Sequence, residues 1–172
     1  MGATATPVFL SLGSNIDREH NIRSGLDRLA DQFGQVQLSP VYESVAVGFD
    51  GAPFLNLVAR IETALPPGVL ADLLHDIEAE HGRVRGDKKY ASRTLDIDIL
   101  TYGELTGEVD GMVLPRDEIL KHAFVLQPLA DLVPQERHPV LGETYRELLS
   151  RTDFSAQGLW QVPFRWPAGG DR

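Results

Sequence analysis

Apolar positions along the chain switch repeatedly between alternating and helical spacing, and the switches divide it into elements. Val8–Leu12 is a short apolar run that stops at the turn-forming triplet Gly13-Ser14-Asn15, which predicts a strand. Ile22, Leu26, Leu29 and Phe33 then recur at helical spacing. With Asp17 ahead as a cap and Gly34 behind, they predict a helix. Val36–Tyr42 predicts a second strand, Gly48–Pro53 a loop, and Phe54–Thr63 a longer strand. Pro66 and Pro67 open a second predicted helix, with Val69, Leu70, Leu73, Leu74 and Ile77 as its buried stripe and Gly82 at its end. Thr94–Thr101 reads as the next strand.

Strand–helix–strand–strand–helix–strand is the order of a split βαβ, or ferredoxin-like, unit. The expected class is therefore α+β: a mostly antiparallel sheet with helices packed on it, in a single domain over residues 1–172. From about Gly103 the chain holds a turn-rich loop, Leu114-Pro115, and short helical stretches near Phe124–Leu132 and Thr144–Ser150. Residues 151–172, with Trp160 and Trp166, are expected to lie along the surface as a tail.

Composition narrows the class further. A length of 172 residues suits one domain, and 42% apolar with 24% charged residues is ordinary for a globular chain. The absence of cysteine excludes disulfides, a thiolate nucleophile, a zinc ribbon and an iron–sulfur cluster. No apolar run approaches the ~20 residues of a membrane helix. Met1–Pro7 carries no positive charge and no hydrophobic core, so it does not read as a secretory signal. Met1–Thr6 meets a loose acylation pattern, but no basic cluster supplies a second anchor. A cytoplasmic monomer is the expected state.

Charge singles out one segment. The net charge of −9 disfavours nucleic acid and anionic membranes as partners. Yet Arg83, Arg85, Lys88, Lys89 and Arg93, against Asp87 alone, leave a local balance of +4 between residues 83 and 93. Such a loop on an acidic protein suits a small anionic ligand; a solvated surface loop is the alternative.

Directly after it stands Asp96-Ile97-Asp98. Side chains alternate on a strand, so both aspartates share a face, with Cα atoms roughly 6.6 Å apart, while Leu95, Ile97 and Ile99 point into the core. Like charges so placed repel unless neutralised, and hard divalent cations bound through carboxylate oxygen are the usual remedy. Solvent-facing acids, or ion pairs with Arg83 or Arg93, would also satisfy the pattern. Metal ions beside arginines are what phosphoryl transfer requires, because its catalysis is mostly positioning and electrostatic stabilisation. No P-loop or G-x-G-x-x-G turn is present, so a nucleotide would be held by side chains and metal. Phe54 and Asn56 share a face of their strand, an aromatic plate beside an amide that suits a flat polar heterocycle. His75 and His81 do not share a helix face, and His20 and His138 read as surface residues.

Together these residues resemble the 6-hydroxymethyl-7,8-dihydropterin pyrophosphokinase family of folate synthesis. The resemblance runs from Leu10 to about Pro134, through Leu12-Gly13-Ser14-Asn15, Val41-Tyr42-Glu43-Ser44, Phe54-Leu55-Asn56, Glu78 with Gly82-Arg83-Val84-Arg85, Ser92–Leu100 and Phe124–Leu129. Of these, Arg93-Thr94-Leu95-Asp96-Ile97-Asp98-Ile99-Leu100 is the specific one. The resemblance implies transfer of a pyrophosphoryl group from ATP to the pterin's hydroxymethyl oxygen, releasing AMP. It implies that Asp96 and Asp98 hold two magnesium ions, and that Arg83 and Arg93 bind the triphosphate. Glu78, Arg85, Lys89 and Tyr90, with Arg116 and His122, would lie near the nucleotide. Phe54 and Phe124 would sandwich the pterin, with Asn56 and backbone groups around Ser44 and Val47 reading its edge.

This chain departs from the family pattern in three places. Ala91-Ser92 stands where Gly-Pro is usual, Pro115-Arg116 where Pro-His is usual, and His122 where an arginine is expected. Two further functions therefore compete with the enzyme: a paralogue that binds pterin or nucleotide without turnover, and an acidic interaction module whose partner surface is the cationic loop.

Overall fold

Two long, mostly buried strands form the centre of the sheet. β1 (Thr6–Ser14) and β4 (Phe54–Thr63) pair antiparallel along their whole lengths, from Thr6 opposite Thr63 to Ser14 opposite Leu55. The computed structural model describes residues 5–45, 51–82 and 94–167. On one side of the central pair, β5 (Asp96–Tyr102) pairs with β1; on the other, β2 (Gln37–Leu38) and β3 (Val41–Ser44) pair with β4. The order β5-β1-β4-β3 is the one the split βαβ pattern requires, and every pairing is antiparallel.

One face packs on α1 (Arg18–Phe33) and α2 (Pro67–Glu80). Val8, Leu10, Leu12, Leu57, Ala59, Ile61, Ile97 and Ile99 meet Ile22, Leu26, Leu29, Leu70, Leu74 and Ile77 there. The other face is divided. Phe9, Val58 and Leu100 are covered by α4 (Ala123–Leu132) and α5 (Tyr145–Arg151). Farther along, Ser11, Asp96 and Asp98 are only half-buried. A bulge manages the join: the β1–β5 register slips between Phe9 and Leu10, so that Ile99 lies opposite Leu10 and Thr101 opposite Phe9. The extra residue, Leu100, goes into the second core while Tyr102 stays in the first.

Several elements differ from expectation for local reasons. The predicted strand Val36–Tyr42 is interrupted at Ser39-Pro40, because proline cannot donate to the ladder. Ser39 bridges the gap: its N–H donates to the Val58 carbonyl at 2.9 Å and its hydroxyl accepts from the Val58 N–H at 2.9 Å. Asp17 stands at the start of α1 but makes no side-chain cap; its carbonyl accepts from Asn21 N–H at 3.0 Å instead. Val69, assigned to the buried stripe of α2, is 50% exposed. The C-terminal segment is not merely laid on the surface. Leu159–Val162 forms β8, a further strand paired with β3, and Trp166 donates to Asp27 of α1 at 2.9 Å.

His138 also reverses the surface reading, being only 5% exposed. Its Nδ1 accepts from the N–H groups of Val140 and Leu141 at 3.2 and 3.1 Å, and burial lowers its pKa. The folded protein thus resists protonation of a ring that the unfolded chain protonates near pH ~6.5, so stability should decline as pH falls through that value. The thermal midpoint should drop between about pH 7 and pH 5.5, and His138→Asn, whose amide oxygen can replace Nδ1, should flatten that part of the profile.

Candidate active site

The half-open part of the second face gathers the polar residues. Asp98 lies opposite Ser11 and Asp96 opposite Gly13 across the β1–β5 ladder, while Ile97 and Ile99 enter the core behind them. The two aspartates therefore share one face. Burial, and next the neighbouring Asp96 charge, push the Asp98 carboxyl well above the ordinary carboxylate range; Arg116 opposes the shift, and Glu118 and Glu78 add to it. Glu78, expected beside the nucleotide, is 6% exposed at the end of α2. Its Oε2 accepts from the Ile97 N–H at 2.7 Å, which pins the backbone between the two aspartates.

Gly13 forms the floor between the acids and the amide, with Asp96 on one side and Asn56 on the other. A Cβ there would stand 3.3 Å from Asn56 Oδ1 and 3.7 Å from the Phe54 ring. Asn56 is buried, and its Nδ2 donates to Ser44 Oγ at 2.7 Å, so the amide is held in one orientation. Phe54 lies opposite Ser44 in register. The turn leading into it is anchored by Asn15 Nδ2 on the Ala52 carbonyl at 2.9 Å and Arg18 Nη1 on the Pro53 carbonyl at 3.2 Å.

Two clefts open nearby, one at the β5 edge that reaches Asp98 and one that reaches Ser44. The larger, about 550 Å³, is lined by Asp98, Ile99 and Arg116 together with Leu74, His75 and Met112. Its outer wall is the hairpin of β6 (Gly107–Val109) and β7 (Met112–Leu114), whose Asp110 accepts from the Gly68 N–H at 2.9 Å. The smaller, about 290 Å³, lies between Ser44, Val45, His122, Phe124, Gln157 and Leu159. His122 and Phe124 stack there with centroids 4.6 Å apart and planes 15° from parallel. Arg116 and His122, grouped together at the nucleotide on sequence grounds, thus occupy different clefts. Val47, Arg83, Arg85, Lys89, Tyr90 and Arg93 lie outside the described residues.

Tyr42 carries a role that the sequence reading left unassigned. It pairs with Asn56 in register, and its hydroxyl hydrogen-bonds Asp131 of α4, which also accepts from Gln127 at 3.0 Å. Burial and that carboxylate raise the Tyr42 pKa, keeping the phenol protonated as a donor. Its position two residues before Ser44, on the same strand face, was the available signal.

The family model for 7,8-dihydro-6-hydroxymethylpterin-pyrophosphokinase (HPPK) matches residues 9–134. The chain belongs to the HPPK family. A 2-amino-4-hydroxy-6-hydroxymethyldihydropteridine pyrophosphokinase from Pseudomonas aeruginosa is 39% identical over 160 residues, covering 91% of this chain and 96% of the relative. A Bacillus subtilis protein of the same description is 37% identical, covering 81% and 86%. The chain spans a smaller share of fused relatives, 28% of a folate synthesis bifunctional protein of Arabidopsis thaliana that is 37% identical. Among solved structures, wild-type Plasmodium falciparum HPPK-DHPS superposes with a TM-score of 0.67 at 16% identity, covering 87% of this chain and 42% of that one. That likeness supports the fold alone.

Within an HPPK, the floor residue is a sharp test of the site, because Gly13 leaves the volume that separates Asp96 from Asn56. Gly13→Val should lower turnover at least about tenfold through pressure on the buried Asn56 amide, consistent with the ~1–3 kcal/mol that overpacking costs. A steady-state assay beside a thermal melt checks this, with loss of activity expected to exceed what the melt explains.

Proposed function

We propose that this HPPK transfers a pyrophosphoryl group from ATP to the hydroxymethyl oxygen of 6-hydroxymethyl-7,8-dihydropterin, releasing AMP. The observation that carries the reading is the row Asp96–Gly13–Asn56 across three adjacent strands. Strands are spaced about 4.8 Å apart, so the acidic and amide ends of the row stand roughly 10 Å apart, enough for a phosphate chain to meet a heterocycle's side arm. The pterin hydroxyl oxygen attacks the β-phosphorus, forming the new O–P bond, and its proton passes to solvent water. The bond from that phosphorus to the oxygen bridging the α-phosphorus breaks, and AMP leaves with the electron pair.

The residues present fit divalent metal. Two carboxylates on one face offer hard oxygen donors; burial, and after it the Asp96 charge, raise the Asp98 pKa, and a bound cation would favour its ionised form. Among the described residues no third His, Asp or Glu joins them as a metal-binding group, so water and phosphate oxygens would complete each shell. When bound, two magnesium ions held by Asp96 and Asp98 would neutralise and align the phosphate oxygens.

This chain's own groups do the rest. The larger cleft takes the nucleoside, with Ile99, Leu74 and Met112 as apolar walls and Arg116 facing the phosphates. Arg83 and Arg93, in the cationic segment directly before β5, grip the triphosphate and stabilise the charge that is transferred, and Arg85, Lys89 and Tyr90 support the nucleotide. Glu78 keeps Ile97, and so both aspartates, in place. The smaller cleft and the floor take the pterin between Phe54 and Phe124, with Asn56, Ser44 and Val47 along its edge and His122 behind Phe124. We also propose that it works as a monomer, and in the cytoplasm, where ATP is supplied.

Incubation with ATP, magnesium and 6-hydroxymethyl-7,8-dihydropterin should release AMP. Tight pterin binding without AMP would mark a binding paralogue, and neither outcome an interaction module. Asp98→Ala should reduce metal-dependent turnover by about 10²–10³-fold or more, the scale of losing one electrostatic contributor to the transition state. Its thermal midpoint should hold or rise, because the substitution removes a half-buried like charge beside Asp96.

A further inference from the structure

We infer that Gln157, in the C-terminal segment beyond the HPPK match, is a positioning residue that sets the aromatic wall of the pterin cleft. The inference rests on the function proposed above. It starts from a break in the backbone. The short helix α3 (Glu118–Lys121) and α4 meet at His122, a single extended residue with φ −123° and ψ 125°. Helix ends leave carbonyls and N–H groups that need partners from outside the helix, and His122, which ends α3 and begins α4, caps α4 with no side-chain hydrogen bond.

Gln157 serves both sides of the junction. Its Oε1 accepts from the Ala123 N–H at 2.8 Å, and its Nε2 donates to the Lys121 carbonyl at 3.0 Å. One amide therefore clamps the two residues that flank His122. The His122 ring stacks on Phe124 one helical step on, so the setting of this junction is also the setting of the stack. The amide suits both roles: a carboxylate accepts but cannot donate, and an aliphatic chain does neither.

The clamp is itself tied to the opposite wall. The Gln157 N–H closes a turn on the Phe154 carbonyl at 2.8 Å. Two residues later β8 begins, with Leu159 opposite Ser44, and Trp160 Nε1 donates to Glu43 Oε1 at 2.8 Å. Ser44 holds the Asn56 amide on the floor. A single short stretch of tail is thus registered on the strand that carries one side of the cleft and hydrogen-bonded to the helix junction that carries the other. Gln157 and Leu159 both line the cleft they span.

Gln157→Met keeps the length and volume of the side chain and removes both hydrogen bonds. In the full-length protein it should raise the dihydropterin KM about tenfold, the scale of one net hydrogen bond. The KM for ATP should stay within about twofold, since the larger cleft does not include the tail. Gln157→Glu, which keeps the bond from Ala123, should fall between Met and wild type. A parallel rise in both KM values, or an unchanged pterin KM, overturns the proposal, and if Gln157→Met fails to fold, Gln157→Glu against wild type is judged by the same split. Fluorescence titration with 6-hydroxymethylpterin separates the two levels of the claim. Loss of the proposed function appears as no AMP from wild type, while the ranking of pterin affinities still decides the role of Gln157.

Discussion

The site depends on the two-residue period of β5. Leu95, Ile97 and Ile99 bury in the core between the sheet and its helices, and that alone turns Asp96 and Asp98 to the other face. Burial of three such side chains is worth about 1.5–3 kcal/mol each. Against this stands the repulsion of two carboxylates whose Cα atoms stand ~6.6 Å apart, about 2.5 kcal/mol at an effective dielectric of ~20 for charges at that spacing. The core wins, and a one-residue slip would reverse every term by exposing the isoleucines and burying the acids. Glu78 strengthens the choice by taking the Ile97 N–H. The acidic pair is therefore a consequence of hydrophobic packing, and the cation proposed for it would lower its cost.

The same face must also be a core, and the chain divides it along the length of each strand. Phe9, Val58 and Leu100 carry the part beneath α4 and α5, while Ser11, Gly13, Asn56, Asp96 and Asp98 carry the rest. The bulge at Leu100 lets β5 supply an extra apolar residue at the boundary without reversing the acids' side. Tyr42 marks the boundary on the other strand. Its ring is buried, and its hydroxyl is spent on Asp131, so α4 is fastened to the sheet next to the polar floor.

Periodicity made the order of elements legible, and parity on a strand made the shared face of Asp96 and Asp98 legible. Both are properties of a few consecutive residues. What was missed depends on partners distant in sequence. Ser39-Pro40 interrupts a strand because Val58 offers bonds to the serine instead of to a continuous ladder. His138 is buried because its ring closes the loop to Leu141 and packs on Tyr145. The tail becomes a strand because β3 has a free edge of matching length, which a polar, proline-bearing segment does not announce. Val69 follows the helical period of α2 yet borders the open cleft, where no second layer among the described residues covers it. The placement of Arg116 and His122 in separate clefts was likewise invisible, because they lie six residues apart in chain but on opposite sides of the short helix α3.

The two clefts are related through the backbone rather than through side-chain contact. Moving from the acids to Asn56 crosses two strand spacings, a distance set by ladder hydrogen bonds at about 4.8 Å each and beyond the reach of any single substitution to alter. Side chains can adjust only what stands above that ruler. Gly13 adjusts it by having none and Ser44 by fixing an amide, while the α3–α4 junction carries the His122–Phe124 stack. Such a division predicts where tolerance lies in an active site of this kind. The rigid dimension is supplied by a hydrophobic sheet that any well-packed sequence can provide, so the residues proposed to tune ligand fit lie at a helix junction and at strand ends, with Gln157 of the segment beyond the HPPK match among them.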